Sequence, residues 1–166
     1  MTLLSQVIAL ALLGAPVFAA LPVVSAKDEG SLLKSGDKTL AANKKLVYDF
    51  YRIVLRARRL DQAEHYMRVD YIQHNPNADT GIAGFKAYFE KLGGPLPIKD
   101  TLGDLVSIQA EGNMVTLSLV REYDEPATSG NAAGKKYTST WFDMFRIQDG
   151  KIAEHWDNAT KPVPAK

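Results

Sequence analysis

The chain contains no cysteine among its 166 residues. That excludes disulfides, thiolate catalysis and cysteine metal sites, but does not decide the compartment. A strong charge of either sign is missing too. Its 20 Lys and Arg stand against 19 Asp and Glu, a formal net charge of +1, so no basic field points to nucleic acid. There is no internal repeat, no low-complexity segment and no second domain. What is present is an ordinary globular composition. A hydrophobic content of 46% is ample for one core in a chain of this length.

The one long apolar run lies at the start. Leu3 to Val17 is rich in Leu and Ala, is interrupted by Pro16, and falls short of the roughly 20 residues a membrane-spanning helix needs. Small-x-small patterns follow at Val17-Phe18-Ala19 and Val24-Ser25-Ala26, and then the chain turns polar at Lys27-Asp28-Glu29. Residues 1–26 therefore read as a secretory signal peptide, cleaved after Ala26 or near Ala19. The expected product is secreted or periplasmic, with no stable membrane insertion after cleavage. The segment lacks a charged side chain before Lys27, which leaves an uncleaved anchor or a misassigned start as alternatives. Residues 27–38 read as a loose polar lead-in, 39–160 as the folded domain and 161–166 as a tail.

Within the domain, Asp37 or Thr39 can cap a helix. Leu46, Val47, Phe50, Tyr51, Val54 and Leu55 recur at three- and four-residue steps, so an amphipathic helix is expected from Leu40 to Arg59. A short helix from Gln62 to Arg68 and an extended Tyr71 to Asn75 follow, stopped by Pro76. Thr80 can cap a third helix, Gly81 to Leu92, with Ile82, Phe85, Phe89 and Leu92 as its apolar stripe. Strands are expected at Leu102–Ala110 and Met114–Tyr123, with a turn at Glu111-Gly112-Asn113. A polar loop from Asp124 to Gly134 leads to a final hairpin, Tyr137 to Ala159, turning at Asp149-Gly150. Helices first and antiparallel strands after is the α+β pattern, and a curved sheet over three helices would form a cone with one open mouth.

Strand alternation in the hairpin selects the candidate chemistry. Tyr137, Ser139, Trp141, Asp143 and Phe145 share one face. Asp143 thus stands among aromatics, where burial of a carboxylate is costly unless it is used or bonded. In the second strand His155 and Asp157 share a face, opposite Glu154 and Trp156. A carboxylate two residues from an imidazole is close enough to orient it. His74 precedes Asn75-Pro76 at the expected rim; His65 reads as surface. Tyr51 is a hydrogen-bond donor or a core aromatic, and Trp141 and Tyr71 read as wall. Asn75 offers an amide to a substrate. His74, His155 and Asp157 have the donor types of a zinc or iron site but not a known metal spacing, and no metal is expected.

The helix YDFYRIVLRARRLD, the segment YIQHNP followed by GIAGFKAYF, and the closing FDMFRIQDGKIAEHWD together resemble the nuclear transport factor 2-like (cystatin-like) superfamily, and within it the SnoaL-like, polyketide cyclase-related group. The resemblance covers about Leu40 to Thr160. It implies a cone of three N-terminal helices on a curved, mostly antiparallel sheet, pairing through the sheet as a homodimer. It also implies a small hydrophobic ligand and no cofactor. Compared with the ketosteroid isomerases of that superfamily, Tyr51 and Asp143 match the two oxyanion donors, whereas Asn75 stands where the aspartate base would be and cannot take a proton from carbon. SnoaL-type cyclases combine a pocket His with an Asp, a role open to His74, His155, Asp143 and Asp157. The expected activity is cofactor-independent acid/base chemistry on a hydrophobic carbonyl compound: aldol cyclisation, isomerisation or dehydration. The alternative is a non-catalytic small-ligand-binding domain. An epoxide hydrolase would need an Asp-Arg-Asp set that the sequence does not assemble.

Overall fold

The computed structural model describes residues 21–126 and 135–162. The apolar run Leu3–Val17, the Ala19 cleavage position, most of the Asp124–Gly134 loop and the end of the tail lie outside the described residues. Five strands form one curved sheet in the order β1-β5-β4-β3-β2. They are β1 (Met67–Gln73), β2 (Leu105–Glu111), β3 (Met114–Asp124), β4 (Lys136–Gln148) and β5 (Lys151–Asp157). All neighbours are antiparallel except β1, which runs parallel to β5. Among the described residues four α-helices accompany them: α1 (Glu29–Leu32), α2 (Lys38–Phe50), α3 (Ala63–Tyr66) and α4 (Gly81–Glu90). The expected α+β architecture is what the chain adopts.

The hairpin forms as its sequence dictates. Asp149 and Gly150 both take positive φ, 53° and 70°, which a two-residue turn between twisted strands requires. The concave face of the sheet packs on α2 and α4. Val47, Phe50, Leu105, Leu117, Phe145 and Ile152 are at most 1% exposed. Phe50 stands at their centre, with ring centroids 5.8 Å from Phe85 and 5.9 Å from Phe145.

Three local expectations are corrected. The short helix ends at Tyr66, not Arg68, and β1 begins at Met67 rather than Tyr71, because Met67 is buried and pairs with Ile152. A register shift between Met67 and Ile72 breaks the alternation that would have marked this strand. The Thr80 hydroxyl at the start of α4 accepts no capping hydrogen bond from the helix; it accepts from Gln73 N–H at 3.2 Å. The first long helix is regular only to Phe50. From Tyr51 to Arg56 it widens to a π-helical turn, with Ala57 N–H bonded to Arg52 O at 3.2 Å. It closes on Arg58 at φ +53°, a left-handed position usually given to glycine and costing other residues about 1–2 kcal/mol.

The lead-in read as loose is built into the fold. Asp28 caps α1 through Ser31 N–H. Buried Glu29 accepts from Tyr48 Oη at 2.6 Å, Leu102 N–H at 2.8 Å and Gly103 N–H at 2.6 Å. β2 starts at Leu105, later than expected, and the Leu102 and Gly103 amides before it are bonded to Glu29. The Lys44 ammonium donates to Leu32 O and Lys34 O, both at 2.6 Å, closing the end of α1. Upstream, Val23 N–H donates to Thr138 Oγ1 and Ala26 N–H to Leu105 O, each at 2.7 Å.

Glu29→Ala strands three donors and is expected to cost about 2–4 kcal/mol, read from the urea midpoint. The Tyr48 hydroxyl is pushed up to about 12, first by burial, then by the hydrogen bond to Glu29 and its charge. Its folded value lies above the free value of about 10. The stabilisation is therefore complete below that pH and is lost as pH rises through about 12. Denaturation midpoints should fall across this alkaline window, and less steeply in Tyr48→Phe.

Candidate active site

A cavity of about 480 Å³ lies between the concave sheet face, α4 and the end of α2. Seven of the eight residues singled out from sequence line it: Tyr51, Tyr71, Asn75, Trp141, Asp143, His155 and Asp157. The hairpin register makes this possible by pairing Phe145 with His155 and Asp143 with Asp157. Residues two apart on each strand thereby share one face.

The centre is a buried hydrogen-bonded chain. Asp143 and His155 are 4% and 7% exposed. His155 Nε2 lies 2.7 Å from Asp143 Oδ1, and Tyr51 Oη donates to Asp143 Oδ2 at 2.9 Å. His155 Nδ1 lies 2.8 Å from Gln73 Oε1, which also accepts from Asn75 N–H at 3.0 Å. The Asn75 amide marks that atom as the acceptor oxygen, so His155 Nδ1 carries a proton. A single further proton then lies between Nε2 and Oδ1, as imidazolium with carboxylate or as imidazole with carboxylic acid. Burial, followed by the charge of Asp143, holds the Tyr51 hydroxyl well above its ordinary range. Tyr51 therefore stays a neutral donor. Tyr71 is held up the same way, by burial and then by Asp143 and Asp157.

Two sequence expectations change. Asp157 does not orient His155; that carboxylate is Asp143, and the other ring nitrogen is held by Gln73. Asp157 is instead fixed by Asn75 Nδ2 at 2.6 Å and Ala159 N–H at 2.9 Å. His74 does not join the cavity. Its ring stacks on Trp156 with centroids 5.0 Å apart, and its Nε2 lies 2.7 Å from Glu154, on the opposite face of β5. Alternation put Glu154 and Trp156 on that outer face, and His74, just past the end of β1, follows them.

The metal set imagined with His74 is therefore not assembled. A different trio is close. One ligand atom each from Asp143, His155 and Asp157 lies within 4.8 Å of the others, which could chelate a cation. Here the His155 donor atom is already turned to Asp143, so a cation would have to replace that proton.

Sequence reasoning missed Gln73, Arg58 and Arg121, all cavity-lining. Gln73 was visible as the residue two before Asn75, but only the parallel pairing of Gln73 with His155 gives it a role.

The sequence profile of the SnoaL-like domain matches residues 47–155. The chain belongs to the SnoaL-like family. No curated protein matches it. Among solved structures it resembles a candidate polyketide cyclase from Acidithiobacillus ferrooxidans, at 18% identity and a TM-score of 0.50, over 70% of this chain and 86% of that one. IdmH, a candidate polyketide cyclase from Streptomyces antibioticus, is similar at 19% identity and a TM-score of 0.49, over 69% and 89% of the two chains. An LEH-like epoxide hydrolase of M. tuberculosis is similar at 16% identity and a TM-score of 0.48, over 70% and 80%. At 18% identity the likeness to the first of these shows the shared fold alone.

The His155 assignment can be read directly. Nitrogen NMR of the imidazole should show Nδ1 protonated, and Gln73→Leu should shift that resonance while leaving far-UV circular dichroism unchanged. An unprotonated Nδ1 in the unaltered protein would contradict the arrangement.

Proposed function

We propose that this SnoaL-like protein is an acid/base enzyme needing no cofactor, acting on a small hydrophobic carbonyl compound. The observation that carries the reading is the 2.7 Å approach of His155 Nε2 to Asp143 Oδ1, with Tyr51 donating to the same carboxylate, inside a mostly apolar cavity. In this reading Asp157 takes a proton from the carbon next to the carbonyl, and the Tyr51 O–H, turned from Asp143 to the ligand, donates a hydrogen bond to the enolate oxygen. Position 75 has an amide where a base would be needed, but Asp157 brings a carboxylate 2.6 Å from that amide. The proton held by the Asp143–His155 pair is then available to the oxygen or to a leaving hydroxyl. Cyclisation, isomerisation and dehydration all begin from that enolate.

The binding-module reading has an observation of its own. Both ring nitrogens of His155 and both oxygens of Asp143 already have partners. A self-satisfied chain of this kind suits a structural role in a ligand pocket. Deuterium exchange separates the two. The protein in D₂O should exchange the α-protons of enolisable aromatic ketones, and Asp157→Asn and Asp143→Asn should each lower the rate about 10²-fold or more. Ligand binding with no exchange across such a panel would establish the binder instead.

The reading includes secretion. Val23 and Ala26 donate main-chain hydrogen bonds to Thr138 and Leu105, contacts that cleavage near Ala19 keeps and cleavage after Ala26 removes. This supports the earlier position. Phe142 on the outer sheet face is 49% exposed, which supports pairing through that face as a homodimer. Native mass spectrometry of the exported protein tests both. It should give a dimer whose chains begin at or just after Ala20; a monomer, or chains starting at Lys27, would refute the respective claim. Among the described residues no helix is long and apolar enough to cross a membrane.

A further inference from the structure

The chemistry above uses the buried wall of the cavity. The solvent side carries positive charge that this chemistry does not require. Arg56, Arg58 and Arg121 all line the cavity, and of these three only Arg56 has an ion pair among the described residues, with Asp104. Asp104 also feels Arg121, but its burial, the larger effect, raises its pKa, and its Oδ1 is buried without a partner. One partly desolvated carboxylate thus faces two of these guanidinium groups, those of Arg56 and Arg121.

The two unpaired arginines are held in place. Arg121, on exposed β3 backbone beyond Leu119, lays its guanidinium over the Trp141 ring, 5.1 Å from the centroid. Stacking of this kind leaves the N–H edge free for an anion. Arg58 occupies the left-handed helix end at φ +53°, where glycine would be unstrained. Its Nη1 lies over Gly93, so close that a Cβ there would stand 2.9 Å away. A strained residue that brings an unpaired charge to a mostly apolar cavity is a marker of function.

We infer that the ligand of this cavity is an amphiphilic anion. Its apolar ring body would lie against Phe85, Phe89 and Trp141, and one carboxylate-like group would be held between Arg58 and Arg121 at the solvent side. The inference rests on the cavity being the ligand site and adds the charge and direction of the ligand. Asp157 repels an anion from the buried wall, where the Asp143–His155 pair is neutral overall and offers no compensating positive charge, so one orientation is favoured. That orientation presents the uncharged, reacting end of the molecule to the acid/base groups.

Two fluorescent probes with one ring system test it: anilinonaphthalene sulfonate, which is anionic, and phenylnaphthylamine, which is neutral. At low salt the sulfonate should bind about tenfold tighter, an advantage that shrinks as ionic strength rises. Arg58→Gly and Arg121→Gln should each weaken the sulfonate about threefold and together bring the two probes to parity, with neutral-probe affinity unchanged. Glycine suits φ at position 58, so its melting temperature should not fall, and Arg121→Gln is an independent check at an exposed site. The neutral probe must displace the anionic one, which places both in the cavity. Equal affinities for the two probes, or variants without effect, would overturn the anionic ligand while leaving the cavity reading intact. Failure of both probes to bind would overturn the cavity as the ligand site and the anionic ligand with it.

Discussion

The site depends on keeping one carboxylate, Asp143, in a nearly dry environment. A charge or a carboxylic acid buried there is costly unless its oxygens are satisfied. Tyr51 from the end of α2 and His155 from β5 meet that requirement, one on each oxygen. His155 in turn needs an acceptor, and Gln73 at the end of β1 provides it. Three elements far apart in sequence are thereby tied to one point. The parallel β1–β5 pairing is as important to the chemistry as the hairpin that first drew attention to Asp143.

The same arrangement organises charge along the cavity. Carboxylates line the buried wall and arginines the open side, and the aromatic surfaces between them are uncharged. Such separation would be unfavourable to build for packing alone, since Arg58 occupies a strained backbone position and Arg121 has no carboxylate of its own among the described residues. It is the pattern expected of a pocket that orients what it holds. Membership of the SnoaL-like family fixes the fold and not what is bound, so the functional argument rests on these side chains.

The N-terminal segment shows how a stretch of polar sequence becomes structural. Glu29 would be unremarkable on a surface helix. Here it closes the unpaired amides of Leu102 and Gly103 and takes the Tyr48 hydroxyl. Lys44 does the corresponding task for carbonyls at the end of α1. Neither residue is distinguishable from a solvated one by periodicity, because its partner lies elsewhere in the chain.

What the sequence determined by itself was whatever depends on neighbours along the chain. Alternation in β4 and β5 put Asp143, His155 and Asp157 on one face and Glu154 and Trp156 on the other. Asp149-Gly150 defined the turn, and the helical stripe around Phe50 and Val54 defined the buried side of α2. Tertiary structure decided the partners. It gave His155 to Asp143 and Gln73 rather than to Asp157, moved His74 to the outer face, and extended β1 back to Met67 across a register shift. It also placed Arg58 and Arg121 on the cavity lining, although Arg58 reads from sequence as one more basic residue at a helix end. The division has a physical cause. Turn and face preferences arise from local backbone geometry, whereas hydrogen-bond partners and desolvation are set by which strands meet and by what that contact excludes from water.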